Sequence, residues 1–142
     1  MTERKYLHTF ADLCDRLSIV LLKQIRIPEN REAYKRERHL IESDLDDMLP
    51  GLGDGICGKI LGGADITAIL MIMLSNVVIW DNEAEARKGG RSKNKLLRFT
   101  HSINGCRNTA KNILSGDDRK DYKIDCLAAD LPEEFGNWKI WE

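Results

Sequence analysis

The stretch ITAILMIMLSNVVIW, residues 66–80, decides the fold class, because it is apolar over nearly its whole length. It predicts the centre of a helix over residues 65–88, which two glycines then end. The apolar stretch is short for a membrane span, and Ser75 and Asn76 interrupt it. The sequence therefore favours a central core helix over a transmembrane one, and we expect no membrane association.

Apolar residues recur at helical spacing in other parts of the chain as well. Three further helices are predicted at about residues 9–27, 29–48 and 92–114. Thr9 and Asp12 resemble a capping box at the start of the first helix, and Ser92 is a plausible N-cap of the last. No stretch alternates convincingly, so the expected fold is all-α: an antiparallel four-helix bundle in a single domain, residues 1–142.

A glycine-rich linker, LPGLGDGICGKILGG at residues 49–63, joins the second and third predicted helices. Residues 53–59 fit G-x-x-x-x-G-K, which is most of a phosphate-binding loop. Such a loop follows a strand and continues with Ser or Thr, which binds Mg²⁺. Here an acidic helix precedes the loop and Ile60 takes the Ser/Thr position. We therefore interpret the segment as a linker or, alternatively, as a lid over a site.

The C-terminal tail, residues 117–142, is predicted to form a short extension with a helix near residues 118–129. Near its end it carries Trp138 and Trp141, whose large apolar surfaces are costly to expose to water. We expect both to pack on the core or on a second subunit. A homo-oligomer, such as a dimer, is the expected state.

The N-terminus, MTERKYLHTF, lacks the apolar core of a signal peptide, and we expect a cytoplasmic protein. The four cysteines are Cys14, Cys57, Cys106 and Cys126, and none belongs to a C-x-x-C pair. We expect reduced thiols that behave as small apolar groups. The net charge of −1 and the pI of about 6.3 make duplex nucleic acid an unlikely partner.

Charge is distributed unevenly along the chain. Between Arg87 and Gly116 there is no acidic residue. The same segment holds eight basic ones: Arg87, Lys88, Arg91, Lys93, Lys95, Arg98, Arg107 and Lys111. Basic groups beside a helix N-terminus suit phosphate, which predicts an anion site. Alternatively, the basic run complements the acidic second helix or the acidic tail, within the chain or across a dimer.

Polar side chains at helical spacing predict where a ligand would bind. The third helix carries Asn76, Trp80, Glu83 and Arg87, and the fourth carries Arg98, His101, Asn104, Arg107, Asn108 and Lys111. If these faces meet, the arginines and the lysine would contact the phosphate of a small phosphorylated or nucleotide-like ligand. The asparagines would orient the ligand, and Trp80 would stack on it. Alternatively, Asn76 fixes the register of packed helices and Trp80 belongs to the core.

Acidic residues also recur in helical pairs: Asp12 with Asp15, Glu29 with Glu32, and Asp44 with Asp47. Two such pairs on facing helices could chelate Mg²⁺. A second hypothesis is therefore a Mg²⁺-dependent nucleotide pyrophosphohydrolase that uses Asp12, Asp15 and Glu83. Under the first hypothesis no cofactor is expected, and a third is a non-catalytic interaction or assembly module.

Three segments carry a resemblance to known proteins: DLCDRLSIVLLK at residues 12–23, NVVIWDNEAEAR at 76–87 and INGCRN at 103–108. Together they resemble small, uncharacterised all-helical bacterial proteins in which Asn, Trp, Glu and Arg are similarly spaced. The resemblance implies a helical bundle, with Asn76, Trp80, Glu83, Arg87, Asn104, Arg107 and Asn108 as its polar positions. Thr109 and Asn112 stand where that pattern has acids. In architecture and acidic pairs, the chain also resembles MazG-type all-α nucleotide pyrophosphohydrolases.

Overall fold

The computed structural model describes residues 7–49, 60–116 and 132–141, and within these ranges the chain is helical and has no strand. Four α-helices follow one another: α1 (Phe10–Arg26), α2 (Arg31–Met48), α3 (Gly63–Arg87) and α4 (Lys93–Ser115). Short 3-10 turns cover Pro28–Asn30 and Glu133–Trp138. The all-α prediction is confirmed, and each predicted helix end lies within two residues of the observed one.

Local hydrogen bonds explain where the helices begin. At α1, the Asp12 amide donates to Thr9 Oγ1 at 3.2 Å and the Thr9 amide donates to Asp12 Oδ2 at 3.1 Å, which confirms the capping box. At α3, Asp65 Oδ2 accepts from the Gly62 amide at 2.9 Å, so this helix begins earlier than predicted. Ser92 precedes α4, but its side chain makes no capping bond because its backbone is not extended.

Helices α3 and α4 form a hairpin with the most extensive helix–helix packing in the described chain. In the connection, Gly89 and Gly90 have φ of +78° and +101°, a left-handed conformation that favours glycine. Helix α1 packs on both members of the hairpin, and α2 packs chiefly on α1. The main core draws on α1, α3 and α4: Phe10, Ala11, Ala68, Met71, Ile72, Ala110 and Leu114. A four-helix bundle stays a prediction.

Helix α3 packs into the main core on one side and leaves an apolar face exposed on another. Ile66, Leu70 and Leu74 are 51%, 58% and 53% exposed, at four-residue spacing. Only 28% of the most apolar window of α3 is buried. By length and composition alone α3 could cross a membrane, which is weak evidence because core helices pass the same test. Since nearly every residue of this stretch is apolar, its composition could not indicate which face packs inward.

The C-terminal aromatic residues pack on the core, which confirms one of the two expected positions for the tryptophans. Trp138 and Trp141 contact the main core cluster, and the Phe99 ring lies 4.9 Å from the Phe135 ring between centroids. The Cys106 thiol donates to the Trp138 carbonyl at 3.6 Å. Cys14 and Cys106 are thiols, as predicted.

Three predictions concern segments outside the described residues. They are the glycine-rich loop at residues 53–59, the short helix near residues 118–129 and the state of Cys57 and Cys126.

Candidate functional site

A cavity of about 420 Å³ opens between α1, α3 and α4. Its lining residues are Ile19, Leu22, Asn76, Ile79, Trp80, Glu83, Leu97, Thr100, His101, Asn104 and Arg107. Six of the ten residues predicted to bind a ligand are among them: Asn76, Trp80, Glu83, His101, Asn104 and Arg107. The polar stripes of α3 and α4 therefore face a common space, and α1 closes it with two aliphatic side chains.

Three polar atoms of residues that line this cavity are buried without a hydrogen-bond partner in the described chain. They are Thr100 Oγ1, Asn104 Oδ1 and Arg107 Nε. All three residues lie on one face of α4, at spacings of four and three. Leaving such a group unsatisfied costs about 1–3 kcal/mol, so these atoms suit a polar molecule in the cavity.

At the cavity wall, Asn76 connects α1, α3 and α4 through its side-chain amide. Its Nδ2 donates to Asp15 Oδ1 at 2.8 Å and to Ser18 Oγ at 2.6 Å, both on α1. Its Oδ1 accepts from Arg107 Nη1 on α4 at 2.8 Å. Asn76 itself is only 4% exposed. The guanidinium is thereby held on one side, while its Nε is left for another acceptor.

Lys111 joins this network from the next turn of α4. Its Nζ lies 3.4 Å from Asp12 Oδ1 and 3.3 Å from Asp15 Oδ2. The three side chains are 13–17% exposed, so the ion pairs are largely shielded from water. The predicted acidic pair of α1 thus has an ammonium group as its neighbour, and Lys111 contacts it instead of lining the cavity.

Three other predicted ligand-binding residues also lie outside the cavity lining. Arg87 pairs with Glu83 at 3.6 Å on the surface, and Arg98 pairs with Glu134 at 3.3 Å. Asn108 is 4% exposed and buried in the helix packing. The contact between Arg98 and Glu134 is of the kind anticipated by the alternative interpretation, in which the basic run complements the acidic tail.

The alternative metal site comprised Asp12, Asp15 and Glu83. Asp12 and Asp15 line a separate cavity of about 650 Å³, whereas Glu83 lines the smaller one. In the described ranges, no three His, Cys, Asp or Glu side chains are grouped so that they could hold a metal ion. The Mg²⁺ site thus stays a prediction, and the structure does not bring its three carboxylates together at one cavity.

The sequence interpretation did not select five of the lining residues: Ile19, Leu22, Ile79, Leu97 and Thr100. Four are aliphatic, and the sequence does not indicate whether an aliphatic residue lines a cavity or belongs to the core. Thr100 precedes Asn104 by four residues, a spacing that places both on one helix face. That spacing could have identified it.

No protein-family model, curated protein or solved structure matches this chain.

Proposed function

We propose that this protein binds a small phosphorylated or nucleotide-like ligand in the cavity between α3 and α4. The observation that carries the proposal is that three residues lining a cavity of about 420 Å³, Thr100, Asn104 and Arg107, each hold a buried polar atom without a hydrogen-bond partner in the described chain. Cavities that hold small ligands span about 300–1,000 Å³ and combine apolar walls with a few polar groups.

Each side chain has a role that follows from its chemistry. The Arg107 Nε–H donates to an anionic oxygen, and such charge-assisted bonds are among the strongest in proteins. Asn104 Oδ1 accepts from a ligand N–H or O–H group, and the Thr100 hydroxyl can donate or accept. Trp80 offers an aromatic face on which a base can stack. His101 also lines the wall.

We propose a cytoplasmic homo-oligomer without membrane association, in which the exposed face of α3 contacts a second copy. Ile66, Leu70 and Leu74 are all more than half exposed in the single chain. Contiguous exposed apolar surface of this kind is typical of protein–protein contacts. Docking of a second copy would complete the packing of the expected helical bundle.

The first test is a thermal-shift screen of the purified full chain. The panel contains inorganic phosphate, nucleoside mono-, di- and triphosphates, cyclic nucleotides and sugar nucleotides, each with and without Mg²⁺. A ligand at 100 times its dissociation constant stabilises the fold by about 2.7 kcal/mol, which is readily measured. A shift without Mg²⁺ that is lost in Arg107→Ala supports the binding protein.

Other outcomes would support the other hypotheses. A shift that requires Mg²⁺, with turnover of a nucleoside triphosphate abolished by Asp15→Ala, would support the pyrophosphohydrolase. No shift across the panel, together with a stable oligomer, would support a non-catalytic assembly module with a water-filled cavity.

A further inference from the structure

Two hydrogen bonds of Asn76 connect Arg107 to Asp15, an acidic residue that does not line the cavity. We infer that Asp15 is a positioning residue: acting through Asn76, it holds the Arg107 guanidinium at the cavity in the orientation that binds an anion. This inference rests on the proposed function, because it assigns a role in the same site to a residue of α1.

The orientation of the Asn76 amide follows from its neighbours. An ionised Asp15 carboxylate can only accept hydrogen bonds, and the Arg107 guanidinium can only donate them. Ser18 Oγ donates to the Asp15 carbonyl at 2.8 Å, so it accepts from Asn76. Both hydrogens of Asn76 Nδ2 are thus used on α1, and Oδ1 must face Arg107.

Burial fixes the orientation of the Asn76 amide. Asn76 is 4% exposed and Ser18 is 6% exposed, so water does not readily replace their partners. Inside a protein, linked hydrogen bonds polarise one another, and a broken link leaves a costly unpaired group. Without the Asp15 acceptor, the amide of Asn76 could turn over, which would present an N–H group to Arg107 and release the guanidinium from its position.

The neighbouring Asp12 provides a matched control. It shares Lys111 with Asp15, at 3.4 Å against 3.3 Å, and its burial is similar. The hydrogen bonds of Asn76, however, run to Asp15, Ser18 and Arg107 and not to Asp12. Loss of charge at either position disturbs the ion pairs with Lys111, but only Asp15 accepts a hydrogen bond from the Asn76 amide.

The experiment compares Asp15→Leu, Asp15→Asn and Asp12→Asn with the unaltered full chain. The probe is inorganic phosphate, titrated while the side-chain signals of Arg107 Nε–H and Asn76 Nδ2 are followed by NMR. Asp15→Leu should weaken phosphate binding about five- to tenfold, the effect of one lost positioning bond. Asp15→Asn keeps an acceptor oxygen, so it and Asp12→Asn should stay within about twofold. The Arg107 Nε–H signal should change only in Asp15→Leu, because the other two variants leave the orientation of the Asn76 amide unaltered.

Two results would overturn the inference: unchanged phosphate affinity in Asp15→Leu, or an equal loss in Asp15→Asn, which would make charge the cause. If neither phosphate nor any ligand of the thermal-shift panel shifts a signal in the unaltered chain, the proposed function fails, and the side-chain signals measured without ligand still decide the inference. Their invariance between the unaltered chain and Asp15→Leu would then refute it. Should Asp15→Leu not fold, the smaller Asp15→Ala removes the same acceptor of Asn76 and should weaken binding in the same direction; unaltered binding and signals would refute the inference.

Discussion

The substitution Arg107→Met gives the sharpest test of the proposed site. It removes the guanidinium whose Nε is buried beside the cavity without a partner, and it keeps a long apolar side chain. It also removes the donor to Asn76 Oδ1, so some loss of stability is expected, on the order of 1–3 kcal/mol. Circular dichroism and thermal unfolding without ligand would verify that the variant is folded.

The expected loss of affinity follows from the bond that is removed. A hydrogen bond to a charged group contributes about 1.5–3 kcal/mol, and about 1.4 kcal/mol corresponds to a factor of ten. The dissociation constant should therefore rise about 10- to 150-fold. A ligand concentration that stabilises the unaltered protein by about 2.7 kcal/mol would stabilise the variant by only about 0.3–1.4 kcal/mol.

The assay is isothermal titration with the ligand identified in the thermal-shift screen, supported by the shifts themselves. Arg98→Met is the matched control, because Arg98 lies on the same helix, is 62% exposed and pairs with Glu134 outside the cavity. Its affinity should stay within about twofold, as expected for an exposed ion pair. An affinity of Arg107→Met within twofold of the unaltered protein would refute the reasoning, as would an equal loss in both variants.

Three further predictions address the stacking surface, the α3 face and the α3–α4 turn. Trp80→Ala should weaken nucleoside monophosphate binding by about 1–3 kcal/mol but leave inorganic phosphate binding unchanged, and equal losses for both would contradict a stacking role. Leu70→Glu should convert the proposed oligomer to a monomer, as measured by light scattering, because it places a charge on the exposed face of α3. An unchanged molar mass would show that this face is not the contact between copies. Gly90→Ala should lower the unfolding free energy in urea by more than about 1 kcal/mol, because φ is +101° there. Gly63→Ala, in open space at the start of α3, is its control and should not destabilise.

Helical periodicity and capping residues predicted the four helices because both are local signals. The capping box of Thr9 and Asp12 involves residues three apart in the chain, so it is visible in the sequence. The exposed face of α3 was not predictable, because a uniformly apolar stretch has no polar side that marks the solvent.

The sequence predicted the part of the candidate site that is formed by the polar stripes of α3 and α4. It could not predict which side chains contact residues that are distant in the chain. Asn104 and Arg107 share a face of α4, and that face meets α3 at the cavity. Lys111 continues the same stripe, but one turn further along it meets Asp12 and Asp15 of α1. The Lys111 and Asp15 side chains come from positions 96 residues apart, a relation that no local pattern contains.

The same separation in sequence bears on the order in which the protein folds. The α3–α4 hairpin needs only contacts that are close along the chain, and such contacts form early. The bonds from α1 to Asn76 and Lys111 span 61 and 96 residues, so we expect them to close late, when α1 docks. Because Ile19 and Leu22 of α1 form one wall of the cavity, the cavity is complete only after that step. A ligand that occupies it should therefore slow amide hydrogen exchange throughout α1, a helix that supplies no polar side chain to the cavity lining.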